Sequence, residues 1–241
     1  MNHTDARLMA TNQNFYDALW REAKLIRPER FSTWPLVSRL TALGGNRLEV
    51  APGLRPRLPL AGTQFVDIST PALARLADQG GRVAAGRVTA IPFADAAFHL
   101  VCAFDIIEHV ADEAAAFREL ARVAAPGATL LISVPLHPEH WTPFDDLVGH
   151  CRRYQPERLL ECLAREGFTL EQSAVFGMQP KSSLLVGIGM WFLTHRRRNA
   201  MRMYNRVFMP LGLRFQRTLT LVPGMVETTG VDTVLFVCRR S

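Results

Sequence analysis

Gly86–Pro135 reads GRVTAIPFADAAFHLVCAFDIIEHVADEAAAFRELARVAAPGATLLISVP, and its apolar spacing decides how the rest of the chain is arranged. Phe98 to Ala103 is an almost unbroken apolar run of strand length, which suits a strand covered on both faces. Asp112 opens a helical pattern in which Phe117, Leu120, Ala121 and Ala124 recur at three- and four-residue spacing, and Pro126 with Gly127 ends it. A second buried strand, Thr129 to Val134, follows at once.

Two strands joined by a helix run parallel, and open α/β folds bind ligands at the carboxyl edge that such strands share. The first strand runs into Asp105, Glu108 and His109, the second into His137, His140, Trp141, Asp145, Asp146 and His150. So many acids and histidines converging on one edge mark a candidate site.

In combination, IPFADAAFHLV, IIEHV and RELARVAAPGATLLISVP resemble the second half of class I S-adenosylmethionine-dependent methyltransferases, in the broad group called type 11. With Glu49 to Ser69 in front, the resemblance spans Arg47 to Phe168 and the last strand, about two thirds of the chain. It implies an α/β fold, a Rossmann-like, seven-stranded, mostly parallel sheet flanked by helices, with N-terminal helices and a helical insertion before the last strand. The expected organisation is one domain over 1–241: a helical cap (1–45), a cofactor-binding core (46–177), an insertion or lid (178–230) and the last strand (231–241).

Ahead of the core, Asn14 to Ile26 places Phe15, Leu19 and Ala23 on one side and predicts a helix that Pro28 ends; a second covers Pro35 to Leu43. Such a segment either packs as plain core or lids the acceptor pocket.

Arg47 to Ala51 is the expected first strand. Relatives carry a DxGxGxG pattern at its end, whose glycines let the backbone approach the cofactor. This chain has EVAPGLRP: Glu49 stands for the acid and Gly53 for the middle glycine, while Ala51 replaces the first glycine and Arg55 the third. Pro52, Pro56 and Pro59 then break any regular helix, and only about 18 positions separate Glu49 from Asp67, so the first helix must be short or missing.

Gln64 to Ile68 is the second strand. Asp67 at its end would accept the two ribose hydroxyls, or else cap the helix that Thr70 and Pro71 open. A third strand lies near Gly81 to Val88. Relatives place an acid for the adenine amino group where this chain has Arg87, which can stack on the ring but cannot accept from it.

The resemblance thus implies a cofactor set of Glu49, Ala51, Gly53, Asp67, Ile68, Val88, Ala90, Phe104 and Asp105 holding S-adenosylmethionine. It needs an open crevice above Glu49 and Asp67, not filled by Arg55, Arg57 or Arg87. GHCRRY, Gly149 to Tyr154, resembles a GHxRRY stretch in a subset of these enzymes; His140, Trp141, Arg152 and Tyr154 are expected over the cleft as acceptor contacts. Histidine suits removal of an acceptor proton near neutral pH, with His150 the first candidate and His109 the second. Histidines and acids show no regular ligand spacing, so no metal is expected.

The function implied is methyl transfer to oxygen or carbon of a small, apolar, aromatic, polyketide-like or lipid-like acceptor. The alternative is a non-catalytic binding or scaffold protein. At 241 residues and 48% hydrophobic content the chain supplies one full core. Its net charge of +6 permits nucleic acid or anionic membrane as partner, but the arginines lack interleaved aromatics, against nucleic acid. Leu184 to Leu193 is too short to span a bilayer; with the arginines after it, 184–215 reads as a peripheral membrane contact or a helical lid. Cys102, Cys151, Cys162 and Cys238 form no CxxC pair, and the amino terminus has no signal-peptide core, which together point to the cytoplasm. Oligomeric state is not legible.

Overall fold

The structure is a computed structural model and describes residues 16–17, 19–20, 23–177, 195–196, 200, 202–216 and 218–241. The run from Leu184 to Leu193 and the arginines Arg197 and Arg198 lie outside the described residues.

One sheet organises the chain. Its strands are β1 (Arg47–Val50), β2 (Thr63–Asp67), β3 (Arg82–Ala85), β4 (Phe98–Phe104), β5 (Ala124–Pro135), β6 (Phe168–Phe176), β7 (Val222–Pro223) and β8 (Thr233–Arg240), in the order β3-β2-β1-β4-β5-β8-β6-β7. Strands β1 to β5 pair in parallel, and β8 runs antiparallel between β5 and β6. The eighth strand corrects the expected seven: it is the two-residue β7 inside the insertion, paired antiparallel to β6. Leu48, Val101, Leu130 and Phe236 are fully buried, which explains the continuous apolar runs at the centre of the sheet.

Among the described residues the complete α-helices are α1 (Trp34–Ala42), α2 (Thr70–Asp78), α3 (Glu113–Val123), α4 (Pro143–Val148), α5 (Pro156–Arg165) and α6 (Met209–Arg214). Asp112 caps α3 through Ala115 N at 2.9 Å, as its sequence pattern predicts. Two boundaries differ from expectation. Strand β5 starts at Ala124, before the Pro126–Gly127 pair, and residues 23–27 are not helical, so the first helix stops short of Pro28. Among the described residues no helix is long and apolar enough to cross a membrane.

No helix follows β1. Residues 51–62 form an irregular loop instead, and Glu49 organises it by accepting the backbone N–H of Arg57 (2.8 and 3.0 Å) and of Leu58 (2.8 Å). Burial raises the Glu49 pKa to about 7, while those N–H groups and the Arg57 charge pull it down.

Strands β1, β4 and β5 each turn away from the sheet through a residue of positive φ: Ala51 (56°), Asp105 (49°) and His137 (61°). A left-handed residue without the freedom of glycine costs about 1–2 kcal/mol, so three of them on adjacent strands concentrate strain along the carboxyl edge. Beyond β5, the fully buried Asp145 in α4 accepts from Thr142 N (2.8 Å) and from Arg153 Nε (2.9 Å), and Arg153 donates on to Asp232 (2.7 Å) just before β8.

Two outcomes follow from these ties. Arg153→Met leaves Asp145 without its buried partner, and urea unfolding should show a loss of about 3 kcal/mol. Glu49 keeps its proton to about 7 in the folded chain against an ordinary value of 4.5. Its contribution is therefore present below the ordinary value and lost as pH rises through 7. Between about pH 5 and pH 8 the wild type should lose up to about 3 kcal/mol relative to Glu49→Gln, read as the difference in urea midpoints.

Candidate active site

The carboxyl edge of β1, β2 and β4 brings together most of the residues expected to hold a cofactor. Asp67, 6% exposed, accepts from Gly53 N at 2.9 Å through Oδ2 and from Ser69 N at 2.8 Å through Oδ1. Gly53 itself has φ of 53°. Ile68 follows Asp67 half-buried, Val88 is buried beyond β3, and Ala90 is exposed in a turn bridged to Arg87. Phe104 stacks on Phe176 at 5.5 Å. Asp105 accepts from Ser133 Oγ at 2.7 Å, and burial raises its pKa against that hydrogen bond and the Arg57 charge.

The donor set suits an adenosyl cofactor: acids end β1 and β2, and positive-φ backbone lies beside them. The space does not suit it in this arrangement. A methyl group built on Gly53 would overlap the Trp20 ring, so Trp20 fills the cradle that the glycine opens. The Arg57 guanidinium packs 3.7 Å over Phe31 and 5.8 Å from Phe104. Burial lowers its pKa, while Asp105 and Glu49 hold it up. Arg55 lies between Trp20 (5.1 Å) and Tyr204 (5.0 Å). The expected open crevice is thus corrected: Arg57 and Arg55 close it, whereas Arg87 is exposed and does not.

An aromatic row runs from this cradle to the histidines. Trp20 stacks on Tyr16 at 6.0 Å, and the Tyr16 hydroxyl lies 3.0 Å from His109 Nε2. The His109 ring then meets His150 edge-on at 4.6 Å. His150 Nδ1 is 2.7 Å from Asp145 Oδ1, a contact that fixes the imidazole and directs Nε2 elsewhere. Burial pushes the His109 pKa down to about 3, helped by His150 and opposed by hydrogen bonds to the backbone of Gly149 and Val148. Glu108, 1% exposed beside them, has its pKa raised well above the ordinary carboxyl value by burial and then by Asp105.

The structure brings the two base candidates His109 and His150 together. Arg152 and Tyr154 do not reach the cleft. Arg152 donates to the carbonyls of Val110 (2.6 Å) and Ala111 (2.8 Å), and Tyr154, 1% exposed, donates to Glu113 at 2.9 Å. Both tie the segment before α5 to the stretch from Val110 to Glu113, leading from β4 into α3. His140 and Trp141 are exposed, with His140 against His137 at 4.9 Å and Trp141 Nε1 donating to Asp146 at 3.1 Å. Asp145 was expected among the acids converging on this edge, Arg57 only as a group that could fill the crevice, and Tyr16 and Trp20 only as part of a segment read as core packing or a lid.

Residues 54–132 match the family profile described as "Methyltransferase domain", a match that begins just past Gly53. A "Probable S-adenosylmethionine-dependent methyltransferase" of Mycolicibacterium smegmatis is 33% identical over 92 residues, 36% of this chain and 35% of that protein. A "Demethylmenaquinone methyltransferase" of Roseiflexus sp. is 36% identical over 94 residues, 34% of this chain and 40% of that protein. The alignments thus span between a third and two fifths of these curated relatives. Among solved structures, a SAM-dependent methyltransferase of Thermotoga maritima, described as a possible histamine N-methyltransferase, superposes with a TM-score of 0.58 at 16% identity, over 86% of this chain and 93% of that one. The [4+2]-cyclase SpnF superposes with a TM-score of 0.57 at 18% identity, over 86% of this chain and 79% of that one. The sheet order and these superpositions give the chain the fold of class I S-adenosylmethionine-dependent methyltransferases, and its residues 54–132 match a methyltransferase domain.

Proposed function

We propose that the chain is a S-adenosylmethionine-dependent methyltransferase acting on a small aromatic or otherwise apolar acceptor, and that the described arrangement is its closed form. The observation that carries this reading is the pairing of Glu49 and Asp67 at adjacent strand ends with the positive-φ turn Ala51–Gly53, inside a chain whose centre matches a methyltransferase domain.

When bound, S-adenosylmethionine supplies a methyl group made electrophilic by its sulfonium. Asp67 would hold the ribose, the Gly53 backbone would lie against the cofactor, and Val88 with Phe104 would supply apolar walls. Two groups oppose its entry. Trp20 covers Gly53, and the Arg57 cation repels a second positive charge brought near Asp105. Opening therefore moves Trp20 and Arg57 away from the strand ends.

The acceptor's nature is read from what fills the cleft. Between the cradle and the histidines the chain places Trp20 and Tyr16, two flat rings, one ending in a hydroxyl at His109. A planar acceptor bearing a hydroxyl would replace them with little change in the surrounding surface, and His109 with His150 is where its proton would leave. Alignment and exclusion of water are the chain's remaining contribution.

The second reading is a binding protein that has lost cofactor affinity, and the filling of the cradle by Trp20 favours it. Isothermal titration with S-adenosylmethionine and S-adenosylhomocysteine separates the two. A closed form populated above about nine tenths weakens apparent affinity about tenfold, so Trp20→Ala should tighten binding by roughly that factor. Asp67→Asn should weaken it by at least about tenfold. Absence of heat with either ligand in both wild type and Trp20→Ala would rule out the methyltransferase reading.

A further inference from the structure

Glu108, His109 and His150 offer one ligand atom each, all within 4.8 Å of one another, at the inner end of the aromatic row. Two of these residues are buried and the third is nearly so, and they come from two separate turns. Ile107–His109 is a single 3-10 turn after β4, and His150 follows α4. The turns are also tied by Cys151 N donating to the Glu108 carbonyl at 2.6 Å.

Each residue satisfies part of what a metal site needs. His150 has Nδ1 engaged with Asp145, the carboxylate–imidazole arrangement that fixes a ring so that Nε2 can ligate. Asp145 is itself fixed by Arg153 and Thr142, so the support reaches as far as Asp232. His109 is positioned between Tyr16 and the backbone of the Val148–Gly149 turn. Glu108 supplies the independent sign: its Oε2 is buried and has no hydrogen-bond partner among the described residues, in a side chain only 1% exposed. A buried carboxylate oxygen left unmatched costs about 1–3 kcal/mol or more, and a cation beside it removes that cost.

We infer that Glu108, His109 and His150 form a binding site for a divalent transition metal, with Asp145 orienting His150 from behind. Two imidazoles and one carboxylate suit zinc, iron or cobalt rather than magnesium or calcium. Bonds of about 2.1 Å put ligand atoms roughly 3–3.5 Å apart, so the three groups draw together by about 1 Å when the ion binds. Three protein ligands leave a coordination position open, and the Tyr16 hydroxyl, 3.0 Å from His109, stands beside it. The proposal departs from the sequence expectation of no metal, which rested on ligand spacing. Glu108 and His109 are adjacent in sequence and His150 is remote, so only the fold assembles them. Under the methyl-transfer reading an acceptor oxygen would take the open position and lose its proton to solvent, in place of transfer to an unligated imidazole, and that use alone rests on that reading.

The test uses the full chain without S-adenosylmethionine, so its failure is separable from failure of the methyltransferase reading. Protein stripped with chelator and dialysed is titrated with Zn2+ and with Co2+, and bound metal, the visible Co2+ spectrum and the thermal midpoint are recorded. Wild type should retain about one equivalent, show a spectrum of inner-sphere nitrogen and oxygen ligation, and melt higher with metal than without. Glu108→Gln and His150→Ala should each weaken binding by at least about tenfold, while His99→Ala, at the opposite edge of the sheet, should bind as wild type does. Absence of binding by wild type, or equal affinity in wild type and both folded ligand variants, would overturn the site. If a variant does not fold, the Co2+ spectrum of wild type decides alone: octahedral aquo-ion absorption refutes it.

Discussion

A backbone without a helix must still satisfy its N–H groups, and the loop after β1 relies on side chains for several of them, beside one backbone bond of its own from Arg55 N to the Pro52 carbonyl. Glu49 takes two of these N–H groups and Asp67 takes Gly53, while Pro52, Pro56 and Pro59 reduce the number that need a partner. The two acids at the strand ends thereby hold the chain's own loop in the place where a ligand would otherwise be held. Each Asp67 oxygen carries one of these bonds and keeps a further lone pair, so a ligand hydroxyl at Asp67 would share the carboxylate with Gly53 and Ser69 N–H.

The same economy explains the charge distribution at the edge. Next to the fully buried Leu58, Arg57 carries its guanidinium over the Phe31 face, where the charges of Asp105 and Glu49 act on it. A cation in that position neutralises an edge that would otherwise hold several buried acids. Displacing it exposes those acids to whatever takes its place, which favours a positively charged ligand once the arginine has gone.

Much of the architecture was legible because β4, α3 and β5 carry uninterrupted apolar runs and a capped helix, signals that depend on nearest neighbours in sequence. The missing helix after β1 was legible too, since three prolines and a short interval leave no room for one. What escaped was long-range. That Arg152 and Tyr154 face Val110, Ala111 and Glu113 goes with the packing of α5 against α3, where Arg158 also reaches Glu113, and no local pattern encodes it. Trp20 and Tyr16 look like core aromatics in the sequence; their place over Gly53 and beside His109 emerges only when the amino-terminal segment folds across the strand ends. The short β7 carries too few residues for a periodicity.

Strand β8 occupies the middle of the sheet, hydrogen-bonded to β5 on one side and β6 on the other, although it is the last of the eight in sequence. As the chain leaves the ribosome, β5 and β6 are complete long before residues 177–232 have been made, and each then presents an apolar edge of unpaired amides. The nascent chain must shield two open edges until its final strand arrives, so the interval of synthesis before β8 is when this protein is most exposed to self-association and most dependent on chaperones.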